Sequence, residues 1–97
     1  MAVKQGITLL HRVAQKPGNI VSDMDGEKVM LSVKNGKYYN LGQMGGVIWD
    51  RIEEPVLIGD LVNSLLSEYE VEEDLCREQV TSFLEKLAEE DLITAEN

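Results

Sequence analysis

The sequence predicts an α+β fold, a three-stranded antiparallel meander with a possible extra strand at the N-terminus, followed by three α-helices, in one domain spanning 1–97. Three observations predict it. The pairs Asp25-Gly26 and Asn35-Gly36 each lie between β-prone runs, and such pairs tolerate the positive φ angles of two-residue hairpin turns. The aromatic run Lys37-Tyr38-Tyr39-Asn40-Leu41 passes almost directly into residues at helical spacing. From there to near the C-terminus the apolar residues recur with the period of helices.

Ile7-Thr8-Leu9-Leu10 is the possible N-terminal strand, and Lys16-Pro17-Gly18 breaks the chain after it. The meander strands are Asn19 to Met24, Glu27 to Val33 and Lys37 to Leu41. In the second, Val29, Leu31 and Val33 alternate with Met30 and Ser32, the period of a sheet with one better-buried face. Met44, Val47, Ile48 and Ile52 set the first helix, with Gly42 as its N-cap and Glu53-Glu54-Pro55 closing it. Ile58, Leu61, Val62, Leu65, Leu66 and Tyr69 follow the i, i+3, i+4, i+7, i+8, i+11 pattern of one buried face. The third helix runs from about Glu73 to Glu90 on a stripe of Cys76, Val80, Phe83, Leu84 and Leu87.

A chain of 97 residues builds one hydrophobic core of modest stability, and its 43% hydrophobic content is ordinary for a folded domain. Nine basic against eighteen acidic residues leave a formal charge of −9, which repels phosphate backbones and anionic lipid surfaces, so neither nucleic acid nor membrane is an expected partner. No apolar run approaches the roughly 20 residues that span a bilayer, and the N-terminus lacks a secretory layout. Together with a single cysteine, this makes the cytoplasm the expected compartment.

Chemistry-bearing residues are few. His11, the one histidine, has no serine or cysteine tied to it by spacing. Cys76 falls at an apolar helical position in acidic surroundings, the setting of a structural thiol. Asp23, Asp25 and Glu27 straddle a hairpin and lack the loop of a calcium hand. Glu72-Glu73-Asp74 suits the start of a helix, whereas Glu89-Glu90-Asp91 reads as a solvated face. Trp49 reads as a core anchor, and Gly45-Gly46 as a site of close packing rather than a phosphate loop. With no convergent acid, base, nucleophile or metal set, no enzyme, cofactor or metal is expected. Tyr38 and Tyr39 point to opposite faces of their strand, so one can enter the core while the other faces solvent or a partner. If that strand is the meander's edge, its unpaired backbone groups offer a template for an added strand.

Taken in order, Gly26-Glu27-Lys28-Val29-Met30-Leu31, Gly36-Lys37-Tyr38-Tyr39-Asn40-Leu41, Gly45 with Ile48-Trp49, Leu61, Leu65 and Tyr69, and Val80 with Phe83-Leu84, Leu87 and Leu92-Ile93 resemble the PqqD-like family over nearly the whole chain. These proteins are recognition elements that hold the leader peptide of a ribosomally made precursor while other enzymes modify its core. The resemblance implies a winged helix-turn-helix-like fold. It also implies a leader lying antiparallel to the third strand, in a groove shared with the third helix. The residues so implied are Lys37, Tyr38, Tyr39, Asn40 and Leu41 on the strand and Leu75, Cys76, Gln79, Val80 and Phe83 on the helix. Two caps depart from the family: Gly42 stands where asparagine is common, and Leu57 where threonine is.

Within the family, the chain looks most like the discrete leader-binding proteins of lasso-peptide pathways, which implies a separate cysteine-protease-type leader peptidase and a cyclase as partners. The alternatives are a leader-binding protein for a radical-SAM maturase, and a small acidic adaptor without a peptide groove. DNA binding, the other use of a winged helix, is excluded by charge: between Glu72 and Asp91 eight carboxylates face Arg77 and Lys86 alone.

Overall fold

The structure is a computed structural model that describes residues 7–96. Along the chain come β1 (Arg12–Gln15), β2 (Asn19–Met24), β3 (Glu27–Ser32), β4 (Lys37–Leu41), α1 (Gly42–Arg51), β5 (Val56–Leu57), α2 (Ile58–Glu68), α3 (Glu73–Glu89) and β6 (Ile93–Glu96). The expected meander is present as one antiparallel sheet in the order β2-β3-β4. Asp25 and Gly26 turn its first hairpin at φ 55° and 85°, with Met24 paired to Glu27 across them, as a primed two-residue turn requires.

The second hairpin departs from the expected two-residue turn. Ser32 pairs with Lys37, so four residues form the loop, and only Gly36 takes a positive φ, 67°. The Gly36 N–H closes the loop on the Ser32 carbonyl at 2.8 Å. Asn35 is freed from the turn geometry, and its side chain reaches the end of α3 instead.

The alternation in β3 resolves clearly: Met30 is fully buried and Ser32 nearly so, whereas Val33 lies beyond the strand in the exposed loop. Val21 and Tyr39, paired across from Met30, share its inward face. Ile20 and Tyr38, paired with Leu31, stand on the outer face and are largely exposed.

The N-terminal strand lies further along than expected. Ile7 to Leu10 is not a strand, because a turn forms there: His11 N–H donates to the Thr8 carbonyl (3.0 Å) and Thr8 N–H donates to His11 Nδ1 (2.9 Å). The strand begins at Arg12 and does not extend the meander. It centres a second antiparallel sheet, β5-β1-β6, that the sequence reading did not contain. Val13, fully buried, is paired with Val56 on one side and Ala95 on the other.

This small sheet also completes the helix ends. Gln15 donates from its backbone to the Ile52 carbonyl (2.9 Å) and from Nε2 to the Trp49 carbonyl (2.6 Å), satisfying carbonyls at the end of α1. At the start of α2, Ile58 N–H donates to the His11 carbonyl and Gly59 N–H to the Leu9 carbonyl, both at 3.0 Å. Those two bonds explain how Leu57, which offers no side-chain cap, can stand at the N-cap of α2. At α1, Gly42 is the first helical residue rather than the cap, with φ 73°. Its N–H donates to Asn40 Oδ1 at 2.9 Å. An asparagine two residues upstream thus takes up one of the unpaired donors at the helix start.

The helical stripes meet as their spacing predicts. Ile48, Trp49 and Ile52 of the α1 segment, Ile58, Leu61, Val62 and Leu65 of α2, and Cys76, Val80, Leu84 and Leu87 of α3 are buried together with Val13, Met30, Leu92 and Ile93. Trp49 is a core anchor, 4% exposed. Met44, Tyr69 and Phe83 leave the stripes only partly covered, and all three lie around one cleft.

Candidate functional site

β4 is the edge of the meander, and among the described residues no strand pairs with its open side. Its side chains divide by parity. Lys37, Tyr39 and Leu41 lie on the inward face, whereas Tyr38 (74% exposed) and Asn40 point outward. Asn40 is committed to the local turn through Gly42 and to Glu27 Oε1 at 3.0 Å. Of the five strand residues named from the sequence, Tyr38 and Asn40 therefore carry their side chains on the outer face.

Two contacts set α3 beside β4, running the opposite way. At one end, Tyr39 Oη donates to Glu90 Oε1 at 2.6 Å. At the other, Leu41 and Phe83 close on the same residue, Gly45. Beyond Gly45 opens an apolar cleft of about 230 Å³. Its α3 wall is Leu75, Cys76, Gln79, Val80 and Phe83, all five helix residues named from the sequence. The opposing walls come from Met44, Gly45 and Ile48 of α1 and from Leu65, Tyr69 and Val71 at the end of α2 and just past it. Lys37 and Tyr39 line a separate, open depression with Lys86, Leu87, Glu89 and Glu90. No residue of β4 lines the apolar cleft, and the Leu41–Gly45–Phe83 contact stands between it and the open depression.

Met44, Gly45, Ile48, Leu65, Tyr69 and Val71 line the cleft without having been named from the sequence as site residues. Met44 and Tyr69 fit helical stripes and were assigned to them. Val71 has a signal of its own: it is apolar between Glu70 and Glu72 in the short connection from α2 to α3. A large apolar residue there has no helix face to serve, and Val71 is 44% exposed.

The open depression is bordered by a polar clasp. Asn35 Nδ2 donates to the Glu90 carbonyl (2.8 Å) and to Tyr39 Oη (3.1 Å), while Lys37 Nζ stands 3.6 Å from Glu90 Oε1. Asp91 follows in the left-handed region at φ 65° and pairs with both Lys16 and Lys34. Its N–H donates to the Ala88 carbonyl and the Leu92 N–H to the Leu87 carbonyl, a Schellman ending with aspartate where glycine is usual. Glu90 and Asp91 are therefore not the solvated face expected of them. The Tyr39 hydroxyl and the Lys37 ammonium hold the Glu90 carboxyl below its usual range, and Lys16 and Lys34 hold Asp91 down at about 2.

Elsewhere the candidates are accounted for locally. His11 accepts from Thr8 in the N-terminal turn. Asp23 and Asp50 flank Lys28 Nζ at 3.3 and 3.1 Å, and Glu27 is engaged by Asn40, so two of the three alternating acids of the first hairpin, Asp23 and Glu27, are drawn to separate partners. The Lys28 stem lies against Gly46, where a Cβ would come within 2.9 Å of its Cγ. Burial pushes the Cys76 thiol up, which keeps it protonated as part of the cleft wall. Glu73 pairs with Arg77 one turn on, the ordinary use of an acid in a first helical turn.

An open sheet edge near an apolar cleft is an arrangement of the kind that small peptide-binding domains use. The chain belongs to the PqqD family: the model described as coenzyme PQQ synthesis protein D matches residues 27–93. Members of this family are non-catalytic peptide-binding proteins. No curated protein matches the chain. Among solved structures it is similar to TbiB1 in complex with the TbiA(beta) leader peptide, with 26% identity, a TM-score of 0.73, and coverage of 82% of this chain and 93% of that one. It also shares the fold of a lasso peptide synthetase B1 complexed with the leader peptide, at 24% identity and a TM-score of 0.67, with coverage of 84% and 96%. No described helix is long and apolar enough to cross a membrane.

Proposed function

We propose that this protein captures the leader peptide of a ribosomally made precursor by adding it as an antiparallel strand to β4, and presents it to maturation enzymes. The observation that carries this reading is the unpaired edge of β4 beside an apolar cleft walled by α3. Main-chain bonds to the edge supply affinity with little sequence demand, and the cleft supplies selectivity by taking an apolar side chain of the peptide. Lys37 to Leu41 form the pairing edge, and Leu75, Cys76, Gln79, Val80 and Phe83 form the opposite wall. The resemblance of the sequence to discrete leader-binding proteins of lasso-peptide pathways favours such a pathway over a radical-SAM maturase, and the likeness to TbiB1, solved with a leader peptide, supports leader binding. The partners are then a separate leader peptidase and a cyclase.

Charge modulates this binding without dominating it. Glu72, Glu73, Asp74 and Glu78 cluster near the start of α3, so leaders with lysine or arginine beside their apolar anchors are preferred. Exposed pairs contribute only about 0–1 kcal/mol each and are screened over about 8–10 Å at ordinary salt.

The test is titration of a fluorescein-labelled synthetic leader, taken from the precursor encoded beside this protein, at low and near-molar salt. Saturable binding that weakens only a few-fold in salt, and is nearly abolished by replacing the leader's aromatic or proline anchors, is the expected result. Absence of binding would favour an adaptor without a groove. Collapse in salt with harmless anchor substitutions would show that charge, not groove filling, holds the peptide.

A further inference from the structure

Helix α1 carries two adjacent glycines, although glycine costs a helix interior about 0.5–1 kcal/mol relative to alanine. At Gly45 the reason is contact across the groove. A Cβ there would lie 3.0 Å from both Cε1 and Cζ of Phe83 and 3.2 Å from Leu41 Cβ. The crowding atoms belong to the two opposite walls: Leu41 ends β4, and Phe83 stands on α3. Phe83 and Gly45 also both line the apolar cleft, so the open volume beside the ring is the cleft itself. A methyl group at position 45 requires the ring to give by a few tenths of an ångström, and the cleft beside the ring has room for that shift.

We propose that Gly45 is a specificity-determining residue of the groove: by admitting the Phe83 ring against α1 it keeps the cleft open, and so sets the largest peptide side chain the cleft accepts. The proposal rests on the leader-binding reading and adds to it the residue that gauges the anchor. Gly45 has no positive φ that would require glycine, so the missing side chain, not backbone strain, is what the site uses. One methylene-sized change in an apolar pocket alters discrimination by about 10–200-fold, enough to separate a large anchor from a small one.

The chain has a single phenylalanine, so 4-fluorophenylalanine places one ¹⁹F label at position 83. Wild type, Gly45→Ala and Gly45→Ala/Phe83→Leu are titrated with the labelled leader and with a copy whose largest apolar residue is valine. Gly45→Ala is expected to keep its thermal midpoint, to shift the ¹⁹F resonance of the free protein, and to bind the full leader about tenfold more weakly or worse. The valine peptide should lose much less, so that the preference between the peptides shrinks or inverts. The double variant should recover most of the affinity for the full leader. An unchanged resonance and preference would overturn the proposal. So would a lowered midpoint with equal losses for both peptides, since Gly45 would then be merely structural. A wild type that binds neither peptide would overturn the leader-binding reading itself, and the gauge with it, whatever the ¹⁹F resonance does.

Discussion

Leu75→Asp is expected to weaken leader binding by about tenfold or more while leaving the thermal midpoint nearly unchanged, because a carboxylate in the cleft must lose its water when the peptide covers it. Leu75 is 47% exposed, so its side chain contributes little to the core and its removal leaves no large cavity. It stands in the first turn of α3, where a negative side chain suits the helix dipole, so the fold gains slightly if anything. Leu75→Asn, which carries no charge, should give an intermediate loss. Calorimetric titration and thermal denaturation of the same samples check both halves of the expectation. A midpoint lowered by many degrees with normal binding would place Leu75 in the core and remove it from the groove.

Acid is expected to loosen the clasp between α3 and the β3–β4 hairpin. Glu90 and Asp91 both have carboxyls held below their ordinary range in the folded protein. A depressed folded value means that each contributes stability above its unfolded value, and that the contribution is lost as the pH falls through the folded one. For Asp91 the window runs from its ordinary 3.8 down to about 2. Tyr39 acts at the other extreme. Its hydrogen bond to Glu90 raises the phenol above 10.0, so its contribution is present below that value and is lost as the pH rises through the raised one. The thermal midpoint should therefore hold through neutral pH and fall by several degrees on acidification toward 2. Asp91→Asn, which tolerates the left-handed conformation but cannot pair with Lys16 and Lys34, should start lower and fall less. A variant that tracks wild type throughout would show that the two lysines contribute nothing there.

The meander and the three helices were legible because each rests on local periodicity. Asn19 to Met24 and Lys37 to Leu41 are strands over those residues, and the α2 stripe from Ile58 to Leu65 is buried. The second sheet was not legible, since β1 finds its partners at Val56 and at Ile93 to Glu96, and a strand of four residues has no period long enough to read. Asn35-Gly36 misled for a related reason: the pair resembles a tight turn, but the Asn35 side chain is engaged 55 residues away at Glu90. Glu90 and Asp91 likewise look solvated until the lysines of three other segments are in view. The five α3 residues implied by the family resemblance line the apolar cleft, and Leu75 stood out because a core alone would not require it. Met44 and Tyr69 were lost among core stripes, since helical spacing does not distinguish a covered position from the rim of a cleft.

Amide exchange on Tyr38 to Leu41, with and without the leader, tests strand addition most directly. Before the peptide is added, no described strand pairs with the side of β4 away from β3, so the amides directed there should exchange quickly. Adding a strand supplies carbonyl acceptors to those amides and should slow them markedly, with the outer-face residues of β2 little changed. Unchanged exchange across Tyr38 to Leu41 in a saturated complex would contradict strand addition at this edge.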